Sequence, residues 1–351
     1  AILHPGGFWR NADLSSYSPE EGITREKSTK SADMSIAMPG RGYIMARPYV
    51  KLQSENKCEE LLGHVGRNLD RFLAFQGLIG ILLSGGLSRG YADHLSEIDL
   101  TILLKREHFE RYQREKTPVP TGIAVIDGQL YDTKLENYDD ALCREYAMAA
   151  LWDLSYAQIL YDPEEKLAAL LQAKLSQPVD LSLAERFLFE AWWHYRLAGN
   201  IWLHRNDAAQ GHFVLNNAVR PLLSALFVSN GEYVPHDKWL VHLSRTLGWK
   251  PEGWEEDLET ALSTGAFDSG SLSARQGAID RLWSAIDAKL REKSGSRVSM
   301  MQKHFYDLLS TLAVRGSVPL SEWAEAGGMG LLNSEPFHSC VEVRDGQIFL
   351  D

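Results

Sequence analysis

The stretch Leu83-Ser84-Gly85-Gly86-Leu87-Ser88-Arg89-Gly90, followed after five residues by Ser96-Glu97-Ile98-Asp99-Leu100, decides how this chain is read. Before it, Leu78 to Leu83 is a short apolar run that reads as a buried strand. Ser84 to Gly90 reads as a glycine-rich turn, and Glu97 to Leu104 as a second strand. Side chains alternate along a strand, so Glu97 and Asp99 project from one face while Ile98 and Leu100 turn to the core. Two carboxylates held that close repel one another unless a cation sits between them. Hard oxygen ligands of this kind suit Mg²⁺, which commonly binds through one or two carboxylates together with substrate phosphates. Upstream, Gly85-Gly86 lets backbone N–H groups approach phosphate oxygens with no Cβ in the way. A phosphate cradle beside paired metal ligands describes a phosphoryl-transfer site, in which metal ions clamp the attacking and leaving oxygens.

A third carboxylate would complete such a site by ligating metal or taking the proton of the attacking hydroxyl. Gly122 to Ile126 and Gln129 to Leu135 read as strands joined by a tight Asp127-Gly128 turn. The second of them offers Asp132, with Lys134 on the same face to meet a phosphate. Asp132 is favoured over Glu136 and Asp127, because an aspartate at the turn has its own use there. Ser84, Gly85, Gly86, Ser88 and Arg89 are the candidate phosphate contacts, with Asp93 in the same loop as an equal claimant on Arg89. Farther on, Lys238 beside Trp239 either reaches a nucleotide or starts a helix.

Around this centre the chain divides into four stretches. Residues 1–54 carry many Ser, Gly and Pro without a clear period and read as an irregular arm or cap. Residues 55–165 form the domain of the motif. It begins with an amphipathic helix over Asn56 to Phe75 (Leu61, Val65, Leu69, Phe72). A helix at 105–115, the two strands above, a helix at 137–152 and a strand at Ala157 to Tyr161 complete it. Residues 166–315 change to long helical patterns at 181–205, 208–229, 238–247, 273–292 and 298–314, with a break at Lys293-Ser294-Gly295-Ser296. Residues 316–351 are a tail with a hairpin at 340–350. The fold class is therefore α/β in the α+β sense: a mixed, mostly antiparallel sheet with helices on one face, followed by an α-helical bundle walling the cleft.

Composition narrows the partners. The chain has 351 residues and a net charge of −11, with no basic stripe, which speaks against a main task of gripping a nucleic-acid backbone. The acidic balance suits a cationic small molecule. Its three cysteines, Cys58, Cys143 and Cys340, have neither disulfide-framework nor zinc spacing. No apolar run is long enough to cross a bilayer, and no charged segment precedes an apolar core at the start, so the expectation is a cytoplasmic protein without membrane contact.

The motif resembles the signature of the DNA polymerase β-like nucleotidyltransferase superfamily: an apolar residue, Gly, Gly or Ser, then about ten residues to an acid–apolar–acid triplet. Gly85-Gly86-Leu87-Ser88-Arg89-Gly90 is similar to the Gly-Ser-x-Ala-Arg-Gly form of bacterial aminoglycoside-type nucleotidyltransferases. Ile159-Leu160-Tyr161-Asp162-Pro163 resembles the close of their catalytic domain, and Ser229 to Leu240 a segment of their helical C-terminal domain. Two positions depart from the pattern: Glu97 stands where Asp is usual, and Gly86 where Ser is common. The resemblance implies a nucleotidyltransferase that moves a nucleoside monophosphate from an NTP, ATP first, to a hydroxyl. Glu97, Asp99 and Asp132 would be catalytic and metal-binding, with Mg²⁺ as cofactor. The implied acceptor is a small molecule such as an aminoglycoside-like antibiotic. The alternatives are a toxin-like enzyme acting on tRNA or protein, and a non-catalytic nucleotide-binding regulator.

Overall fold

Apolar side chains at Leu61, Val65 and Phe72 make one buried stripe along helix α1 (Cys58–Leu73), the spacing of a helix that lies on a sheet. The computed structural model describes residues 55–294, 307–309, 311–312, 314–326, 332 and 340–350. The expected arm at 1–54 and the break at Gly295-Ser296 lie outside them. Of the helix expected at 298–314, the described residues are helical.

The sheet has five strands, β1 (Leu78–Leu83), β2 (Ile98–Leu104), β3 (Gly122–Ile126), β4 (Gln129–Asn137) and β5 (Gln158–Tyr161), in the order β3-β4-β2-β1-β5. It is mixed and mostly antiparallel, as expected; β2 and β4 alone among these pairs run parallel. Leu61, Val65 and Phe72 of α1 pack on Ile81, Leu83, Ile98, Leu100 and Ile102, with Phe109 and Tyr112 of helix α3 (Arg106–Tyr112) at the rim. Burying aliphatic side chains of this size is worth about 1.5–3 kcal/mol each, and this layer fixes which face of β2 is left for chemistry.

Helices were expected on one face, and the structure corrects this. On the other face Ala141 of α4 (Tyr138–Cys143) and Leu167 and Leu170 of α6 (Lys166–Leu175) cover Ile79, Leu82 and Leu103. The cause is the apolar side chain at Leu103, which follows Asp99 and Thr101 on their face of β2 and needs cover. Only the end of that face carrying Asp99 stays open.

The helix expected at 137–152 is two, α4 and α5 (Met148–Tyr156). Asn137 caps α4 by accepting from Asp140 N at 2.8 Å. Where α4 stops, Lys174 Nζ of α6 takes the freed carbonyls of Leu142 and Arg144 at 2.7 and 2.8 Å. A remote lysine satisfies the break, so nothing local announces it.

The second core is helical. Helix α7 (Ser182–Trp192) runs through a π-helical turn (Trp193–Ala198) into α8 (Gly199–His204), filling the span expected as one helix. Beside that turn, Gln276 Nε2 donates to Tyr195 O at 2.6 Å and to Asn200 Oδ1 at 2.8 Å. With α9 (Ala208–Ser229), α10 (Asp237–Ser244), α11 (Trp254–Leu262) and α12 (Ser269–Ser294) these helices bury Leu188, Leu222, Leu226, Trp254, Leu258 and Ile286. α11 has no counterpart in the sequence expectation. The tail holds Val318–Pro319 and the hairpin strands Val341–Arg344 and Gln347–Leu350, all in one small sheet. Among the described residues no helix is long and apolar enough to cross a membrane.

Candidate active site

At the open end of the sheet a cleft of about 520 Å³ is bounded on one side by the glycine turn and β2–β4, and on the other by α5 and the start of α10. The turn is tighter than a loop: Gly85–Ser88 forms a one-turn helix, α2, entered by Gly85 at φ +71°. Gly85 is required on two counts. Its φ lies in the left-handed region that favours glycine, and a Cβ there would fall 1.9 Å from Asp99 Oδ2. The missing side chain is the seat of the Asp99 carboxylate.

β2 begins at Ile98, one residue later than expected, so Glu97 is the last residue of the loop. Asp99 follows on the strand, and the parallel register sets Asp132 directly opposite it. Three carboxylates thus share one wall. Asp99 shows the effect: burial first, then the charges of Glu97 and Asp132, push its carboxyl up to about 6 against the pull of Lys134 and Lys238. Lys134 Nζ pairs with Asp132 Oδ2 at 3.1 Å. Burial lowers that ammonium, but the hydrogen bond and charge of Asp132 outweigh it and hold it above the ordinary lysine value.

Of the sequence candidates, Ser84, Gly85, Gly86, Arg89, Glu97, Asp99, Asp132, Lys134 and Lys238 line this cleft. Ser88 does not. Its Oγ donates to Gly85 O at 3.0 Å, a bond that closes the turn. Arg89 pairs neither with Asp93 nor with open solvent. Its guanidinium lies 3.9 Å above the Trp152 ring and donates to Asp153 Oδ1 at 2.7 Å. Asp93 instead accepts from Leu95 N and Ser96 Oγ, shaping the loop before Glu97. Lys238 starts a helix, sitting in the first turn of α10, and lines the cleft.

Residues that sequence reading missed are Asp153, His236 and Tyr91. His236 Nε2 donates to Asp153 Oδ2 at 2.6 Å, and Trp239 meets Tyr91 edge-on, with centroids 5.2 Å apart. No local signal marks them, because each acts with a partner on a separate element.

The cleft wall counts five carboxylates (Asp93, Glu97, Asp99, Asp132, Asp153) against three permanent cations (Arg89, Lys134, Lys238). A polyanion would meet net repulsion there until a divalent cation neutralised the Glu97–Asp99–Asp132 group. Among the described residues no three His, Cys, Asp or Glu side chains converge on one metal-sized point. Mg²⁺ does not need three, since one or two carboxylates and the substrate's phosphates complete its shell. The crowded, raised Asp99 beside Glu97 fits that requirement.

No protein-family model matches the chain. No curated protein matches it either. Among solved structures, a nucleotidyltransferase-like protein from Exiguobacterium sibiricum 255-15 is similar at 11% identity and a TM-score of 0.40, over 83% of this chain and 99% of that one.

Proposed function

We propose that this chain is a Mg²⁺-dependent nucleotidyltransferase that moves a nucleoside monophosphate, adenylate first, from an NTP to a hydroxyl of a small acceptor. The observation that carries the reading is the parallel register of Asp99 with Asp132, set against a glycine turn whose missing Cβ seats Asp99. A phosphoryl-transfer site needs acidic ligands and a close backbone approach at one point.

In this reading Glu97 and Asp99, which share the cleft wall with Asp132, are the residues that would hold Mg²⁺. When bound, that ion neutralises the triphosphate and stabilises charge on the transferring phosphoryl group. Backbone N–H groups of Gly85 and Gly86, with Ser84, orient the phosphates. Lys238 meets them from the opposite wall, and Trp239 offers an aromatic face to the base. Asp132 takes the proton of the acceptor hydroxyl as it attacks, and pyrophosphate leaves. Lys134 holds the Asp132 carboxylate in place for that step. The excess of carboxylates on the wall supports a cationic acceptor, an aminoglycoside-like compound being the first choice.

The test is incubation of the purified chain with each labelled NTP, Mg²⁺ and a panel of aminoglycosides and other polyhydroxylated amines, following pyrophosphate release. Acceptor-dependent release that needs Mg²⁺ and is lost in Asp132→Asn supports the reading. Release unchanged by that substitution would remove Asp132 as the base.

A further inference from the structure

One carboxylate ties together the glycine turn and the start of α10. Arg89 is the residue that ends α2, directly after the glycine turn, and His236 is the residue that precedes α10. Asp153, on α5, bonds the first with Oδ1 at 2.7 Å and the second with Oδ2 at 2.6 Å. An ion pair at the surface would be worth little; here the arginine is sheltered, while Asp153 and His236 are 34% and 47% exposed. The Arg89 side chain is 8% exposed, its guanidinium lies over the Trp152 ring, and the His236 ring meets the same indole edge-on at 5.9 Å. Short charge-assisted bonds in such surroundings fix geometry. Gln158 Nε2 donates to Ser88 O at 2.7 Å and pins the glycine turn from below. The first turn of α10 holds Lys238 and Trp239, and the Lys238 charge reaches Asp99.

We propose that Asp153 is a positioning residue which, by holding Arg89 and His236 together, sets Lys238 against the glycine turn and so governs affinity for the nucleoside triphosphate. This rests on the donor-site reading above. It assigns Arg89 to holding the cleft together, leaving phosphate contact to the backbone and to Lys238. Asp153 itself touches no reacting atom.

The experiment is a set of dissociation constants, with Mg²⁺ present, for whichever of the four NTPs the 351-residue chain binds. The proteins compared are the wild type, Asp153→Asn, Lys238→Ala and the double variant. Losing a charge-assisted bond of this kind weakens binding by about ten-fold or more. We expect Asp153→Asn to lose about that much. Lys238→Ala should cost far less in the Asp153→Asn background than in the wild type, because the lysine is then already misplaced. Should Asp153→Asn fail to fold, His236→Ala carries the test, since that side chain is 47% exposed. It should repeat the loss, and His236→Gln should restore most of it, because its amide Nε2 donates where the ring Nε2 did. Additive effects of the Asp153 and Lys238 changes, or wild-type affinity in His236→Ala, would overturn the proposal. A wild-type chain that binds none of the four NTPs sinks the donor-site reading first and this one with it, and that outcome is seen before any variant is made.

Discussion

Asp99 bears the cost of the site's acidity. Its carboxyl is raised to about 6 by burial and by Glu97 and Asp132, whereas an unfolded aspartate titrates near 3.9. The folded chain therefore binds this proton more tightly than the unfolded one. That contribution to stability falls as pH rises through the interval between the two values, and the penalty is complete above about 6. Asp99→Asn should stabilise the metal-free protein at pH 7.5 by about 1–2 kcal/mol, allowing for solvent screening at the open cleft. Thermal melts should show that advantage shrinking as pH is lowered toward 4, while nucleotidyl transfer is abolished at every pH. An advantage that stayed constant with pH would mean that Asp99 is not the strained group. Two glycines give a second contrast at this scale. Gly85 and Gly90 both have positive φ, but a Cβ at Gly85 strikes Asp99 while one at Gly90 meets open space. Gly90→Ala should cost only backbone strain, about 1 kcal/mol, with transfer retained. Gly85→Ala should displace the Asp99 carboxylate and reduce transfer by about a hundred-fold or more. That figure follows from the sensitivity of phosphoryl transfer to ligand placement. Steady-state rates and chemical denaturation of both variants check the pair.

At the scale of elements, the helical core has its own fastening. Arg275 of α12 is 2% exposed. It donates to Ala261 O at the end of α11, and to His212 O and Asn216 Oδ1 on α9. Arg275→Leu would strip this donor from the buried carbonyls of Ala261 and His212 and should destabilise the protein by about 2–4 kcal/mol. Because none of these residues lines the cleft, KM for the NTP should not move; a raised KM would show that this core reports to the site. The elements also show what could be read in advance. Strand β2 with Asp99 on it was legible because a period of two needs only local sequence, and the β3–β4 hairpin because Asp127-Gly128 is a turn signal. The pairing of β2 with β4 was not, since a parallel register between distant segments leaves no local mark. Helix α4 ends where a lysine from α6 meets its carbonyls, and the second face of the sheet is covered by helices whose own stripes are weak. Asp153 and His236 stayed hidden for the same reason: each is ordinary alone, and only the fold sets them 2.6 Å apart.

At the scale of the whole molecule, the sheet supplies the acids and the glycine turn, and the helical region supplies Lys238 and Trp239. Neither wall makes the cleft without the other. A ligand that bridges them should stabilise the fold by mass action, by about 2.7 kcal/mol at a hundred times its dissociation constant. The acidic wall should make that binding conditional on a divalent cation. Isothermal titration of each NTP into the 351-residue chain, with and without Mg²⁺, for the wild type and Asp99→Ala, measures this directly. The expected result is NTP binding that requires Mg²⁺ and disappears in Asp99→Ala. No NTP binding under either condition, or binding of equal strength without Mg²⁺ and in Asp99→Ala, would contradict the assignment of this cleft as a metal-dependent nucleotide site.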